Sequence, residues 1–126
     1  MARKRKTEKD IRCPFEYGLD AFGGKWKSRI LCVLSDGPLR YGAVRAEMCN
    51  VTDAALSGAL KDLVESGLIQ RIQYEEIPPR VEYALTSKGA SVIPVLQHIC
   101  QWAGIFFKED QAALRLPRCE RCDFKN

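Results

Sequence analysis

The residues of this chain best suited to covalent chemistry are its cysteines, of which there are six among 126 residues. Cys119 and Cys122 form a C-x-x-C pair with Arg118 and Arg121 beside them. One such pair is half of a four-thiolate zinc site, which a second copy of the chain or Cys13 would have to complete. The alternatives are a redox pair, because neighbouring arginines favour thiolate, and a tail without function. Zinc at this pair is the one cofactor that the sequence suggests.

The remaining cysteines and the ends of the chain bear on the cellular compartment. Cys32 and Cys100 fall on apolar faces of predicted helices, where a thiol packs as an inert small side chain. Cys49 lies in a predicted turn and could be either inert or reactive. The sequence has no apolar run of about 18 residues and no apolar segment behind its charged start, so we expect neither a membrane span nor a signal peptide. We therefore expect a cytoplasmic protein with reduced thiols, for which oxidation would be a signal.

Residue patterns typical of catalysis do not occur in the sequence. His98 is the single histidine, and it lies among apolar residues of the last predicted helix without an accompanying catalytic motif. The sequence also contains no Gly-rich phosphate loop, no paired-carboxylate motif and no set of four metal ligands. We predict that the protein is not an enzyme and that His98 is buried or interfacial.

The net charge of +4 is concentrated at the start of the chain, where residues 1–12 hold six basic and two acidic residues. This favours a basic disordered arm that lies along phosphates with an affinity that falls as salt rises, the alternative being a solubilising terminus. The length and the 46% hydrophobic content fit one domain. We divide the chain into the arm (1–12), one folded domain (13–110) and a tail with the C-x-x-C pair (111–126).

The elements expected to position a binding site are two consecutive helices. A short first helix after Cys13 and a second helix from Lys25 precede them. The third helix runs to Met48, and the fourth begins at Thr52, a good N-cap residue, and stops at Gly67, which is the spacing of a helix-turn-helix. The fourth helix should bury a stripe made of Leu56, Ala59, Leu60, Leu63 and Val64.

A β-hairpin is predicted directly behind the fourth helix. Residues alternate in polarity on both sides of Pro78-Pro79, and because prolines are excluded from a central ladder they must form the tip. Arg80 should project from this tip. A helix followed by such a flap is the outline of a winged helix.

The last helix is predicted to begin at Thr86 and to hold more apolar residues than one small core needs. Pro94 should kink it or mark a late start. Exposed Trp102 and Phe106 would invite aggregation of a monomer, so we predict a homodimer. The fold class is therefore α+β, mainly α: a winged helix-turn-helix domain with a two-stranded wing and a long C-terminal dimerisation helix.

This architecture favours double-stranded DNA as the partner, because the second helix of the motif enters the major groove. Phosphate contacts are predicted for Lys25, Lys27, Arg40 and Arg71, and Arg80 suits a narrow minor groove. Solvated surface charge is the alternative for each of these cations. The residues expected to face the bases are Thr52, Ala54, Ser57, Gly58 and Lys61.

Several separated motifs resemble one family. They are Cys13-Pro14, Gly23-Gly24-Lys25-Trp26, Asp36-Gly37-Pro38, Tyr41-Gly42 and the run from Pro78 to Thr86. Over about residues 13 to 107 the chain resembles the HxlR-type winged-helix transcriptional regulators, relatives of the MarR group. The resemblance implies homodimers on inverted-repeat operators, with the first and last helices at the dimer interface. It also implies that Cys13 matches an N-terminal cysteine that senses oxidants or electrophiles in several members.

The chain departs from this family on the fourth helix. Ala54 and Gly58 stand where members commonly carry Lys or Arg, whose bidentate base contacts each contribute roughly 1 to 3 kcal/mol of discrimination. We expect a DNA-binding transcriptional regulator with an oxidant or small-molecule effector. The alternative is a winged-helix protein-interaction or small-molecule-binding module without sequence-specific DNA binding.

Overall fold

The computed structural model describes residues 9–110. In this range the chain forms five α-helices and one antiparallel pair of strands, which confirms the mainly α prediction. The predicted arm up to residue 8 and the tail with Cys119 and Cys122 lie outside the described residues. In chain order the elements are α1 (Pro14–Phe22), α2 (Lys25–Val33) with a 3-10 turn (Leu34–Asp36), α3 (Tyr41–Met48), α4 (Asp53–Glu65), β1 (Ile69–Tyr74), β2 (Arg80–Leu85) and α5 (Ser87–Asp110).

The hydrophobic core lies mainly between α2 and α4. Ile30 and Leu31 of α2 and Leu56 and Leu63 of α4 are completely buried. Burial of each such side chain contributes about 1.5–3 kcal/mol relative to exposure. The core therefore fixes the angle at which α4 is presented on the surface.

Helix α4 begins and ends as predicted. The Thr52 hydroxyl accepts a hydrogen bond from the Ala55 N–H at 3.1 Å, which satisfies one free donor of the first turn. Gly67 follows the helix with φ +81°, a conformation that glycine adopts without steric cost. The predicted buried stripe is confirmed except at Val64, which is 38% exposed. Val64 lies instead in a groove between α4 and the hairpin.

The predicted hairpin is confirmed, and we call residues 69–85 the wing. Its strands pair from Ile69 opposite Leu85 to Tyr74 opposite Arg80. The two prolines lie in the connecting loop, as expected from their missing N–H groups.

A short bridge attaches the wing to the helix-turn-helix. The Leu39 N–H donates to the Tyr83 carbonyl at 3.0 Å, and the Tyr83 N–H donates back to the Leu39 carbonyl at 2.8 Å. Because Leu39 lies just before α3, these two hydrogen bonds fix the base of the wing beside the start of that helix.

The start of α5 packs tightly on the base of the wing. The Thr86 hydroxyl accepts from the Gly89 N–H at 3.1 Å and donates to the Gly67 carbonyl at 2.5 Å. A Cβ at Gly89 would lie 1.9 Å from the Leu68 carbonyl oxygen, so only glycine fits there. The helix runs without interruption through Pro94, and the expectation of a late start at this residue is wrong.

The structure also bears on the expectations for His98, for two cysteines and for the end of the arm. His98 is exposed in the subunit, so it is not buried there, and an interfacial position of His98 stays a prediction. Cys32 and Cys100 are half-buried, and Cys32 packs against the hydrophobic core as expected. The end of the predicted arm is not detached from the fold, because Lys9 forms an ion pair of 2.6 Å with Asp20 of α1.

Candidate nucleic-acid interface

The face of α4 that turns away from the core is exposed and nearly free of long side chains at its centre. A Cβ at Gly58 would meet no heavy atom within 4 Å, so the fold itself does not require glycine there. Ala54, one turn earlier, adds only a methyl group. The exposed residues of this face, from the N-cap onward, are Thr52, Asp53, Ala54, Ser57, Gly58 and Lys61.

A carboxylate at the first residue of α4 ties this helix to α3. Asp53 Oδ1 accepts hydrogen bonds from the Tyr41 hydroxyl at 2.7 Å and from Arg45 Nε at 2.8 Å. The Tyr41 hydrogen bond, followed by the charge of Arg45, lowers the pKa of Asp53, and the same hydrogen bond raises the pKa of Tyr41. The negative charge also suits the positive end of the helix dipole. This cluster, which we call the Asp53 clamp, links the first residue of α4 to α3 at the protein surface.

Sequence reasoning missed the contacts of Asp53 with Tyr41 and Arg45. The signal available in the sequence was the placement of a tyrosine and an arginine four residues apart on the preceding helix. That spacing puts both on one face of α3.

A groove of about 390 Å³ separates α4 from the wing. It brings together Ser57, Lys61 and Arg71, three of the residues predicted to contact DNA. Lys61 and Arg71 are exposed, so the groove presents two cations to solvent at the junction of helix and wing. The lining residues are Tyr41, Ser57, Leu60, Lys61, Val64, Glu65, Arg71 and Tyr83.

Two further cations, Arg40 and Arg80, lie at the wing, and they differ in exposure and in ion pairing. Arg40 is exposed next to the bridge at Leu39. Arg80 does not project from the tip as expected, because it is the first residue of β2 and its guanidinium is paired with Glu76 and Glu82. The hydrogen bond from Arg80 is the main cause that lowers the pKa of Glu76. The positive charge of Arg40 lowers the same pKa further.

Lys25 and Lys27 stand at the start of α2, apart from the groove-lining set. Lys25 Nζ lies 4.7 Å from the centre of the Trp26 ring, within the range of a cation–π contact. Lys27 Nζ donates to the Asp20 carbonyl of α1 at 2.7 Å. Lys27 therefore links α1 to α2, in addition to any contact with a phosphate.

Cys13 is exposed at the N-cap of α1. Its side chain makes no capping hydrogen bond, while its carbonyl accepts from the Tyr17 N–H at 3.0 Å. Cys49 is also exposed, in the turn between α3 and α4, with a left-handed φ of 55°. Both thiols are thus open to solvent and reagents.

Large apolar side chains are exposed on two helices. On α5, Trp102 is 67% exposed and its ring lies 5.9 Å from that of Phe106 at a tilt of 58°, and on α1, Phe15 is 71% exposed. Solvent-facing apolar groups of this size mark an interaction surface on a protein in water. We call this the apolar surface, and its members are Phe15, Tyr17, Leu19, Val95, Ile99, Trp102, Ile105 and Phe106.

The part of the chain that the structure describes contains neither a metal-ligand cluster nor a membrane-spanning helix. Within residues 9–110, no three His, Cys, Asp or Glu side chains are grouped so as to hold a metal ion. None of the helices in that range is both long and apolar enough to span a bilayer. The zinc prediction for Cys119 and Cys122 falls outside the described residues and stays a prediction.

A helix-turn-helix that exposes its second helix beside a two-stranded wing defines the winged helix-turn-helix class. Within this class, residues 21–111 match the model of the HxlR-like helix-turn-helix family, and the chain belongs to that family. The resemblance drawn from the sequence motifs is confirmed.

Similar proteins agree with this assignment. An HTH-type transcriptional regulator of Methanothermobacter thermautotrophicus is 46% identical over 94 residues, which cover 75% of this chain and 72% of the relative. A structure of the redox regulator HypR in its oxidized form has a TM-score of 0.68 at 34% identity, covering 72% of this chain and 94% of that one. Diamide-treated YodB from Bacillus subtilis has a TM-score of 0.67 at 31% identity, covering 77% and 97%. The protein is a transcriptional regulator of the helix-turn-helix type.

Proposed function

We propose that the protein binds inverted-repeat operator DNA as a homodimer and that oxidation or alkylation of Cys13 controls this binding. The observation that carries the proposal is the exposed face of α4 lying next to the wing, with Lys61 and Arg71 on the groove between them. In a winged helix, these two elements are the ones that contact the major groove and the adjacent backbone. A DNA-binding role also implies the cytoplasm as the site of action.

The residues divide into base contacts and phosphate contacts. Thr52, Ser57 and Lys61 offer hydrogen-bonding groups to base edges, while Ala54 and Gly58 allow close approach and contact with thymine methyl groups. Cations position the protein on the duplex without selecting a sequence. Those proposed for phosphate contacts are Lys25, Lys27, Arg40 and Arg71, with Arg80 at the wing.

DNA binding is tested by fluorescence anisotropy with the duplex upstream of the protein's own gene. The logarithm of the association constant should fall with the logarithm of salt concentration with a slope of several units, by about 0.9 for each phosphate neutralised. Arg71→Ala removes one proposed phosphate contact and should reduce the magnitude of the slope by about 0.9. Arg29→Ala, a matched removal of an exposed cation on α2, should leave it unchanged. A response of wild-type protein that is flat in salt would contradict the proposal.

The homodimer follows from the apolar surface on α1 and α5. An exposed tryptophan and four exposed large apolar residues on one helix are costly in water, and a second copy of the same surface covers them by symmetry. A dimer also presents two α4 helices, which an inverted repeat with half-sites about one helical turn apart can receive together.

The redox control rests on the exposure of Cys13 at the start of α1, next to the apolar surface, and on the similarity to HypR and YodB. Modification of Cys13 would shift α1 against the partner subunit and so change the separation of the two α4 helices. Half-sites one turn apart would then be mismatched, and the operator would be bound differently.

This control is tested with diamide, which oxidises two thiols to one disulfide. Cys13→Ser should keep the wild-type affinity for the upstream duplex and lose the response to diamide. Cys49→Ser examines the other exposed thiol within residues 9–110, and a non-reducing gel shows whether the product joins two subunits. A full diamide response in Cys13→Ser would exclude Cys13 as the sensor.

A second function, the interaction or small-molecule-binding module, is favoured by one observation. Ala54 and Gly58 leave the centre of the α4 face without a long polar side chain, which weakens base-specific readout. This function predicts equal, weak affinity for the upstream duplex and for unrelated DNA. Competition between the two duplexes separates it from the first.

A further inference from the structure

The wing arginine, Arg80, is held by three residues of the wing itself. Arg80 Nε and Nη2 donate to the two carboxylate oxygens of Glu76 at 3.2 and 2.7 Å, and Nη1 donates to Glu82 at 2.8 Å. The guanidinium lies 3.8 Å from the centre of the Tyr74 ring, and the Tyr74 hydroxyl donates to Glu82 at 3.2 Å. We call these four residues the wing clamp.

The wing clamp occupies most of the Arg80 guanidinium. Three of its five N–H groups donate, one from each nitrogen, one face of the group lies over the Tyr74 ring, and the side chain is 26% exposed. The tip and its flanks, residues 74–82, contain Glu75, Glu76 and Glu82 against the single cation Arg80. The wing tip is therefore acidic overall, and a phosphate that approaches it is repelled unless it displaces a carboxylate from Arg80.

We propose that Glu76 restrains DNA binding by competing with the phosphate backbone for Arg80. Glu76 forms the bidentate bond, the strongest geometry between a guanidinium and a carboxylate, and it is 48% exposed, so it can swing away while Glu82 and Tyr74 keep their places. Phosphate contacts carry no sequence information. The restraint therefore lowers the affinity for DNA of any sequence by the same factor and leaves the ratio between operator and other DNA unchanged. The proposal rests on the DNA-binding function proposed above.

The test compares Glu76→Gln with Glu75→Gln in the full-length protein. Both variants remove one negative charge from the tip, but Glu75 makes no hydrogen bond or ion pair with any described residue. Glu76→Gln should tighten binding to a duplex of arbitrary sequence about three- to tenfold. It should also steepen the salt slope by about 0.9, the value for one more phosphate. Glu75→Gln should produce a clearly smaller gain, without the change in slope.

The double variant Glu76→Gln/Arg80→Ala assigns the gain to Arg80. If Arg80 is the group released, the gain of Glu76→Gln must disappear when Arg80 is absent. Equal melting temperatures of all variants establish that the wing remains folded.

Three results would overturn the proposal. Equal gains in Glu76→Gln and Glu75→Gln would mean general electrostatics, and a gain that survives Arg80→Ala would exclude Arg80. Weaker binding by Glu76→Gln would mean that Glu76 positions Arg80 for DNA. Each of these leaves the DNA-binding function standing, whereas failure of wild-type protein to bind either duplex removes both proposals together.

Discussion

At the scale of single residues, Asp53 couples stability to pH. Its pKa lies below the ordinary value of 3.8 because in the folded chain it accepts a hydrogen bond from Tyr41 and lies beside the positive charge of Arg45. A carboxyl whose pKa is lowered by folding stabilises the protein above its unfolded pKa, and this stabilisation is lost as pH falls through the folded pKa.

We therefore expect Asp53→Asn to flatten the acid limb of the stability curve. Urea unfolding between pH 5 and the acid transition should show that the variant loses less stability on acidification than wild type. Glu75→Gln, a carboxylate without a described partner, is the control and should follow the wild-type curve. An unchanged acid limb in Asp53→Asn would show that the Asp53 clamp does not hold in solution.

A substitution at Gly58 of α4 should change the stability of the protein and its affinity for DNA in opposite directions. Glycine within a helix costs about 0.5–1 kcal/mol relative to alanine, and a Cβ at Gly58 meets nothing within 4 Å. Gly58→Ala should raise the melting temperature and weaken binding to the upstream duplex. Gly42→Ala on α3, where a Cβ also meets nothing within 4 Å, should not lower stability and should bind DNA as wild type does. Wild-type DNA affinity in Gly58→Ala would mean that α4 does not approach DNA closely at this residue.

At the scale of elements, Lys88 joins three helices. Its Nζ donates to the Tyr17 hydroxyl of α1 at 2.8 Å and to the Ser66 carbonyl at the end of α4 at 2.8 Å. A cation also suits the negative end of the α4 dipole. The start of α5 thereby connects α1, whose first turn follows Cys13, with the helix proposed to read DNA.

Lys88→Met keeps the aliphatic stem and removes these bonds. We expect a loss of about 0.5–1.5 kcal/mol in the free energy of unfolding, measured in urea, which is the usual worth of such hydrogen bonds. Tyr17→Phe should account for part of that loss, and a double-mutant cycle gives their coupling. Strict additivity of the two changes would show that the contact between Lys88 and Tyr17 contributes no stability.

At the scale of the whole molecule, the proposed dimer depends on the apolar surface. Trp102→Asp/Ile105→Asp changes two exposed side chains, so each subunit should remain folded while the dimer dissociates. Sedimentation equilibrium should give the mass of one chain, and affinity for an inverted repeat should fall because two α4 helices no longer bind together. Ala43→Asp, an exposed change on α3, should leave the dimer intact. A wild-type protein with the mass of one chain would contradict the proposed dimer.

The sequence by itself determined the elements, because their signals are local. The N-cap at Thr52 and the stop at Gly67 act on neighbouring backbone groups, and the two prolines exclude themselves from the strands. Motifs spread over the chain also sufficed to identify the family.

Only the tertiary structure decided which side chains meet. The register that sets Tyr74 opposite Arg80, with Glu76 reaching back from the loop, converts an arginine expected to project into one held by two carboxylates. Val64 follows the apolar period of α4 but borders the groove, because the wing stands off from the helix there. Contacts of this kind depend on loop path and strand register, and helical or strand periodicity contains no information about either.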